Sequence, residues 1–194
     1  GHFMAGGDLV YFAGTLNLPE EERYQKGLAA IGLVHESIAL IRALPKPVLA
    51  SAQGAVAGFG VSLLSACDLA IVADNLKLTS AYCQMGLSPD GGFTYFLPRI
   101  MGEKRAKAVT LLNDVYSAEQ ALALGLVNEV VSVADLPEAT IQLARRLVQA
   151  PAHAVAQSKG LLNASLGRRL DEQLSAEQQS FAGCMLTSDF ATRV

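Results

Sequence analysis

Apolar and polar positions change their period several times along the chain, and each change marks an element. After Pro19, the acids Glu20, Glu21 and Glu22 stand where carboxylates complement a helix dipole. Leu28, Ile31, Val34, Ile38, Ile41 and Leu44 then recur at helical spacing until Pro45 and Pro47, which predicts one long helix with an apolar stripe. "PVLASAQ" is an apolar run of strand length, and it leads through "GAVAGFG" into a compact helix, "VSLLSAC". "DLAIVAD" and "LKLTSA" read as two further buried strands. "GEKRAKAVTLLN" and "SAEQALALG" keep a helical period, the second with Ser117 and Gln120 in capping-box spacing and Gly125 at its end. After the strand "LVNEVVSV", everything from Asp135 onward is helical in pattern. The alternation predicts an α/β core over residues 1–134 and a helical region over 135–194. The opening "GHFMAGGDL" reads as the end of a strand entering a loop, and "TSDFATRV" stops without a cap, so both ends are expected to continue in a longer protein.

Composition narrows the partners. Residues of apolar type make up 51% of the chain, the formal charge is -3, and no basic cluster exceeds the pairs Arg145-Arg146 and Arg168-Arg169. A nucleic-acid surface would need a basic stripe to neutralise phosphates. Cys67, Cys83 and Cys184 are odd in number and far apart, which suits a reducing cytoplasm and argues against a disulfide framework. His2, His35 and His153 have no ligand-like neighbour at i+3 or i+4, so a metal centre has no support. The stretch from Pro47 to Cys67 lacks charge but holds Gln53, three serines and three glycines, so it is read as strand, loop and helix inside a core and not as a membrane span.

Two glycine loops carry candidate chemistry. "QGAVAGFG" places Gly54, Gly58 and Gly60 between a strand and a helix, as a dinucleotide loop would. No tyrosine is followed four residues on by the lysine that a short-chain dehydrogenase pairs with it. The second loop, "FMAGGDL", ends another strand in Gly6 and Gly7. Two loops with free backbone N–H groups, one of them opening a helix, have the components of an oxyanion hole. In "GLSPDGGF", Asp90 stands between a proline and two glycines in apolar surroundings; Pro-Asp-Gly is by itself a strong turn signal.

Together "FMAGGDL", "PKPVLASAQGAVAGFGVSLLSACDLAIVAD", "GLSPDGGFTYFLPRIMGEKRA" and "YSAEQALALGLVNEVV" closely resemble, in order, the crotonase family of enoyl-CoA hydratases and isomerases. The resemblance implies a crotonase (ClpP/crotonase-like) α/β fold of repeated ββα units with a C-terminal helical region. It implies an acyl-CoA thioester substrate, no cofactor beyond that coenzyme A, and a homotrimer or hexamer. Carried over by position, the oxyanion donors are Gly7 N–H and Phe59 N–H, and Ala5, Gly6, Asp8, Leu9, Val10 and Gly58 line the substrate. The hydratases of the family use two glutamates to activate water, and the matching positions here hold Ser62 and Tyr82. Neither titrates as a carboxylate does. Ser62, Tyr82 and Phe93 are expected instead to shape the acyl pocket. Some isomerases of the family carry their working carboxylate in a loop like the Pro-Asp-Gly-Gly of Pro89 to Gly92, which makes Asp90 the expected base. Isomerisation of an enoyl-CoA is therefore expected, with hydration by rearranged groups and a non-catalytic CoA-ester-binding relative as the alternatives.

Overall fold

The computed structural model describes residues 1–194, and the chain enters it as an edge rather than as a free tail. Phe3 N–H donates to Gln53 O and Met4 N–H to Ala55 O, while Met4 O accepts from Ala57 N–H at 2.9 Å. The short helix α1 (Leu9–Ala13) follows, capped by the Asp8 carboxylate, and then the long α2 (Glu20–Ala43). Pro19 and the three glutamates start α2 where the sequence places them, and Pro45 and Pro47 lie just past its end.

Next come β1 (Leu49–Ala52), β2 (Ala55–Ala57), α3 (Phe59–Ala66), β3 (Leu69–Ala73) and β4 (Lys77–Thr79). A 3-10 turn at Cys83–Met85 leads to α4 (Phe93–Met101), α5 (Glu103–Leu112), β5 (Tyr116–Ser117), α6 (Ala118–Ala123) and β6 (Glu129–Val131). The helices α7 (Leu136–Val148), α8 (Ala152–Ser165), α9 (Leu170–Cys184) and α10 (Ser188–Ala191) complete the chain. The strands form two small sheets. β1, β3 and β6 run parallel in one; β2 and β4 run parallel in the other, with β5 antiparallel at its edge.

Consecutive strands of one excursion thus belong to different sheets, and the chain must bend sharply between them. Between β1 and β2 the bend falls at Gly54, whose φ of 64° is left-handed and whose N–H donates to Asn75 Oδ1 at 3.1 Å. Asn75 occupies the matching bend between β3 and β4, so the two turns are fastened to each other. This is the repeated ββα unit of the crotonase-like α/β fold. Val56, Val61, Leu64, Leu76, Leu78, Phe93, Leu97 and Val109 fill the space around the sheets. α7 covers the other face, with Leu136 against Ile71 and Ala73 and the side chains of Ala139 and Leu143 beside them.

Two features depart from a simple reading of the pattern. The stripe is only partly covered: Ile38 is buried and Ile41 packs on the core, but Leu28 and, just past the end of α2, Leu44 are exposed. The neighbouring α3 has 8 residues against 24 in α2, roughly 12 Å against 36 Å, too short to cover the stripe. Asp68, just before β3, is drawn into the interior and accepts from Lys159 Nζ at 2.7 Å and from Val48 N–H. Lys159 also donates to Ile41 O and Lys46 O, so all three ammonium protons are used and α8 is locked to the end of α2. No helix is long and apolar enough to cross a membrane.

Candidate active site

The two glycine loops meet at the start of α3. Gly58 has φ 53° and ψ -122°, a conformation L residues rarely adopt. A Cβ on Gly58 would lie 3.5 Å from Gly6 Cα, and a Cβ on Gly6 would lie 3.6 Å from Ala57 O. At Gly60 the approach is closer still, since a Cβ there would lie 2.3 Å from Met4 O. Small residues are therefore what let the two loops touch. Phe59 is the first residue of α3, and its N–H has no intrahelical acceptor. Neither Phe59 N–H nor Gly7 N–H donates to any protein group. Two unpaired donors thus stand on adjoining loops, one of them at the positive end of a helix.

The loop with Asp90 lies against the same turn of α3. Gly91 and Gly92 have φ of 59° and 81°. A Cβ on Gly91 would lie 2.8 Å from both the Phe59 ring and Ser62 Cβ, so only glycine lets this loop lie flat on the helix. Asp90, half-buried, is held by several groups. Tyr82 Oη donates to its Oδ1 at 2.6 Å, and Ser62 Oγ donates to its backbone carbonyl at 2.8 Å. The two hydroxyl oxygens are 3.4 Å apart. Burial, and then the Asp90 carboxylate, push the Tyr82 hydroxyl well above its ordinary pKa, so it remains a proton donor. Its ring meets Phe93 edge to face, with centroids 5.6 Å apart. Asp90 Oδ2 has no protein partner.

Gly7, Gly58, Phe59, Ser62, Tyr82 and Asp90 are thus brought together. Ala5, Asp8, Leu9 and Val10 lie exposed on the approach, and the Asp8 carboxylate is occupied by Val10 N–H and Tyr11 N–H. Ser62 and Phe93 are fully enclosed, at 0% and 1% exposure. They present no surface for an acyl chain and meet Asp90 and Tyr82 instead. A contact the sequence does not announce is made by His35 on α2, whose Nε2 accepts Gly91 N–H at 3.1 Å. A cavity of about 730 Å³ lies at the far end of α3 between Arg42, Ser65, Phe96 and Lys159. None of Gly7, Phe59 or Asp90 lines it. Free donors and a free carboxylate oxygen, not volume, mark the candidate site.

Such an arrangement can hold a developing oxyanion and move one proton beside it. Comparison with known proteins gives the same chemistry a context. Residues 1–192 match the family described as enoyl-CoA hydratase/isomerase. The chain is 33% identical over 187 residues to a crotonyl-CoA hydratase of Syntrophomonas wolfei, covering 96% of this chain and 69% of that protein. It is 38% identical over 142 residues to a 1,2-epoxyphenylacetyl-CoA isomerase of Escherichia coli, covering 72% and 54%. A solved enoyl-CoA hydratase from Polaromonas sp. JS666 superposes with a TM-score of 0.89 at 34% identity, covering 96% of this chain and 71% of that one.

Proposed function

The chain belongs to the enoyl-CoA hydratase/isomerase family, and from that premise we propose that it shifts the double bond of an enoyl-CoA from the β,γ to the α,β position, with Asp90 as the single proton carrier. The observation that carries this reading is the convergence of Ser62 and Tyr82 on Asp90. These two stand where the resemblance puts the water-activating glutamates, and here both bond to a third residue, Tyr82 to the Asp90 carboxylate and Ser62 to the Asp90 backbone carbonyl. A hydratase needs a base and an acid to add water across the bond, whereas a double-bond shift needs one group that takes and returns a proton. Of the similar proteins, one is named an isomerase, of 1,2-epoxyphenylacetyl-CoA, and another a crotonyl-CoA hydratase, so the choice rests on the residues around Asp90.

In this mechanism the thioester oxygen lies between Gly7 N–H and Phe59 N–H. Asp90 Oδ2 removes the α proton, and the electron pair passes into the carbonyl, forming a dienolate whose oxygen the two N–H groups stabilise. Tyr82, kept protonated, holds Oδ1 and leaves Oδ2 to react. Asp90 then delivers the proton to the γ carbon, the carbonyl re-forms, and the carboxylate is restored. Coenzyme A takes part as the handle of the substrate.

The test is turnover of a 3-enoyl-CoA, followed by the ultraviolet absorbance of the conjugated thioester, beside hydration of crotonyl-CoA. Asp90→Asn is expected to lower isomerisation by about 10²–10⁴-fold. Crotonyl-CoA hydration faster than isomerisation by the unaltered chain would overturn the proposal in favour of a hydratase. Turnover unchanged in Asp90→Asn would overturn it in favour of a CoA-ester-binding relative.

A further inference from the structure

His35 lies on the exposed side of α2, yet it supplies the acceptor for a buried backbone group in the candidate site. Its partner is Gly91 N–H, and the carbonyl of the same peptide plane, that of Asp90, accepts from Ser62 Oγ and from Phe93 N–H. One rigid plane is therefore gripped at both ends, from α2 at its N–H and from α3 at its C=O. Sideways movement is blocked as well, because Gly91 is wedged against the Phe59 ring and Ser62 Cβ. The Asp90 side chain leaves the chain immediately before this plane, so the direction of its carboxylate follows the plane's orientation.

From this geometry we infer that His35 is a positioning residue for Asp90: its neutral imidazole, accepting at Nε2, fixes the Asp90–Gly91 peptide so that the free carboxylate oxygen faces the oxyanion donors. The inference rests on the proposed role of Asp90. Neutral imidazole has one acceptor nitrogen, whereas the imidazolium has two donors and none to accept with. Acid therefore turns the grip into an opposition of two N–H groups, and the plane loses its hold on the α2 side. α3, against which α2 packs, has no titratable side chain, and Ile31, Gly32, Ile38 and Ala39 are the neighbours of His35 one turn away on α2. Asp90 and Tyr82 on the loop side and Glu36 beside it on α2 are the titratable groups at hand.

The experiment compares the unaltered chain with His35→Gln and His35→Leu in isomerisation of 3-hexenoyl-CoA across pH, together with the Gly91 amide signal in ¹H–¹⁵N spectra. Glutamine reaches about as far as Nε2 and accepts without titrating. His35→Leu is expected to lower kcat by about ten- to a hundredfold with KM held within about threefold. His35→Gln is expected to stay within about threefold of the unaltered chain near pH 8, and to lose less of its activity as the pH is lowered. The Gly91 amide should shift on acidification in the unaltered chain and not in His35→Gln. Equal effects of the two substitutions on kcat, or one pH profile shared by the unaltered chain and His35→Gln, would overturn the inference, with thermal melts confirming that both variants are folded. The amide signal needs no turnover, so it separates the two readings. A static Gly91 amide removes the His35 contact alone, whereas a titrating amide with full turnover in Asp90→Asn removes the catalytic reading and with it the positioning role.

Discussion

Replacing Gly60 by alanine sets two effects of known size against each other. Gly60 is the second residue of α3, and helix propensity favours alanine over glycine by about 1 kcal/mol in a helix interior. The added Cβ, however, would lie 2.3 Å from Met4 O, 3.0 Å from Met4 Cβ and 3.1 Å from Met4 C. Met4 O is not free to withdraw, because it accepts Ala57 N–H at 2.9 Å and bridges the chain's opening segment to β2. Restoring ordinary contact requires the two loops to part by about 1 Å, and such overpacking costs about 1–3 kcal/mol. Because the first turn of a helix gains less from alanine than its interior, the strain wins, with a net loss of about 1–2 kcal/mol. For a chain of this size that lowers Tm by roughly 2–8 °C. The same parting separates Gly7 N–H from Phe59 N–H, and a misplacement of about 1 Å at a reacting centre costs about a hundredfold in rate. Thermal melting and isomerisation of a 3-enoyl-CoA measure the two consequences. A Gly60→Ala variant as stable as the parent and as active would refute the close apposition of the loops.

Two more changes probe the groups around the site. Tyr82→Phe removes the donor to Asp90 Oδ1 while keeping the ring against Phe93; a loss of about 1.5–3 kcal/mol in stability is expected at neutral pH from chemical denaturation, the range for a hydrogen bond to a charged group. The Tyr82 pKa is raised in the fold, so its contribution is complete below the unfolded tyrosine value of about 10 and declines as pH rises beyond it. The parent should therefore lose stability above about pH 10 more steeply than Tyr82→Phe, and parallel declines would contradict the shift. Lys159→Met leaves the Asp68 carboxylate and two carbonyls without their shared donor. Removing one partner of a buried pair costs about 3–5 kcal/mol, so a measured loss below about 1 kcal/mol would deny the clamp.

Local signals in the sequence were sufficient where local physics decides. The start of α2 at Pro19 and the glutamates, the stop at its prolines, and the capping box of Ser117 and Gln120 all stand where spacing puts them. α4 was not legible in the same way, because its cap is a left-handed Gly92 with no capping side chain and Pro98 sits inside it. The glycine loops were legible as loops, but their contact depends on sheet pairing that no short window contains. Ser62 and Tyr82 were read as a pocket wall, since neither residue type reveals a partner elsewhere in the chain; each faces Asp90 only after α3 and the loop have packed. His35 carried no signal at all. The residues one turn away on α2, Ile31, Gly32, Ile38 and Ala39, have no polar side chain, and its partner is 56 positions away.

That separation bears on how the chain folds. Ser62 meets Asp90 across 28 positions and His35 meets Gly91 across 56, while Met4 closes on Ala57 only when the opening segment has settled beside β2. Contacts of such high order form late, after loop-closure entropy has been met elsewhere. A folding intermediate with α2, α3 and the parallel strands in place would still lack the arrangement that holds Asp90 beside the free N–H groups. During refolding, recovery of turnover is accordingly expected to lag behind recovery of helical signal, making catalysis a late clock for assembly of the chain.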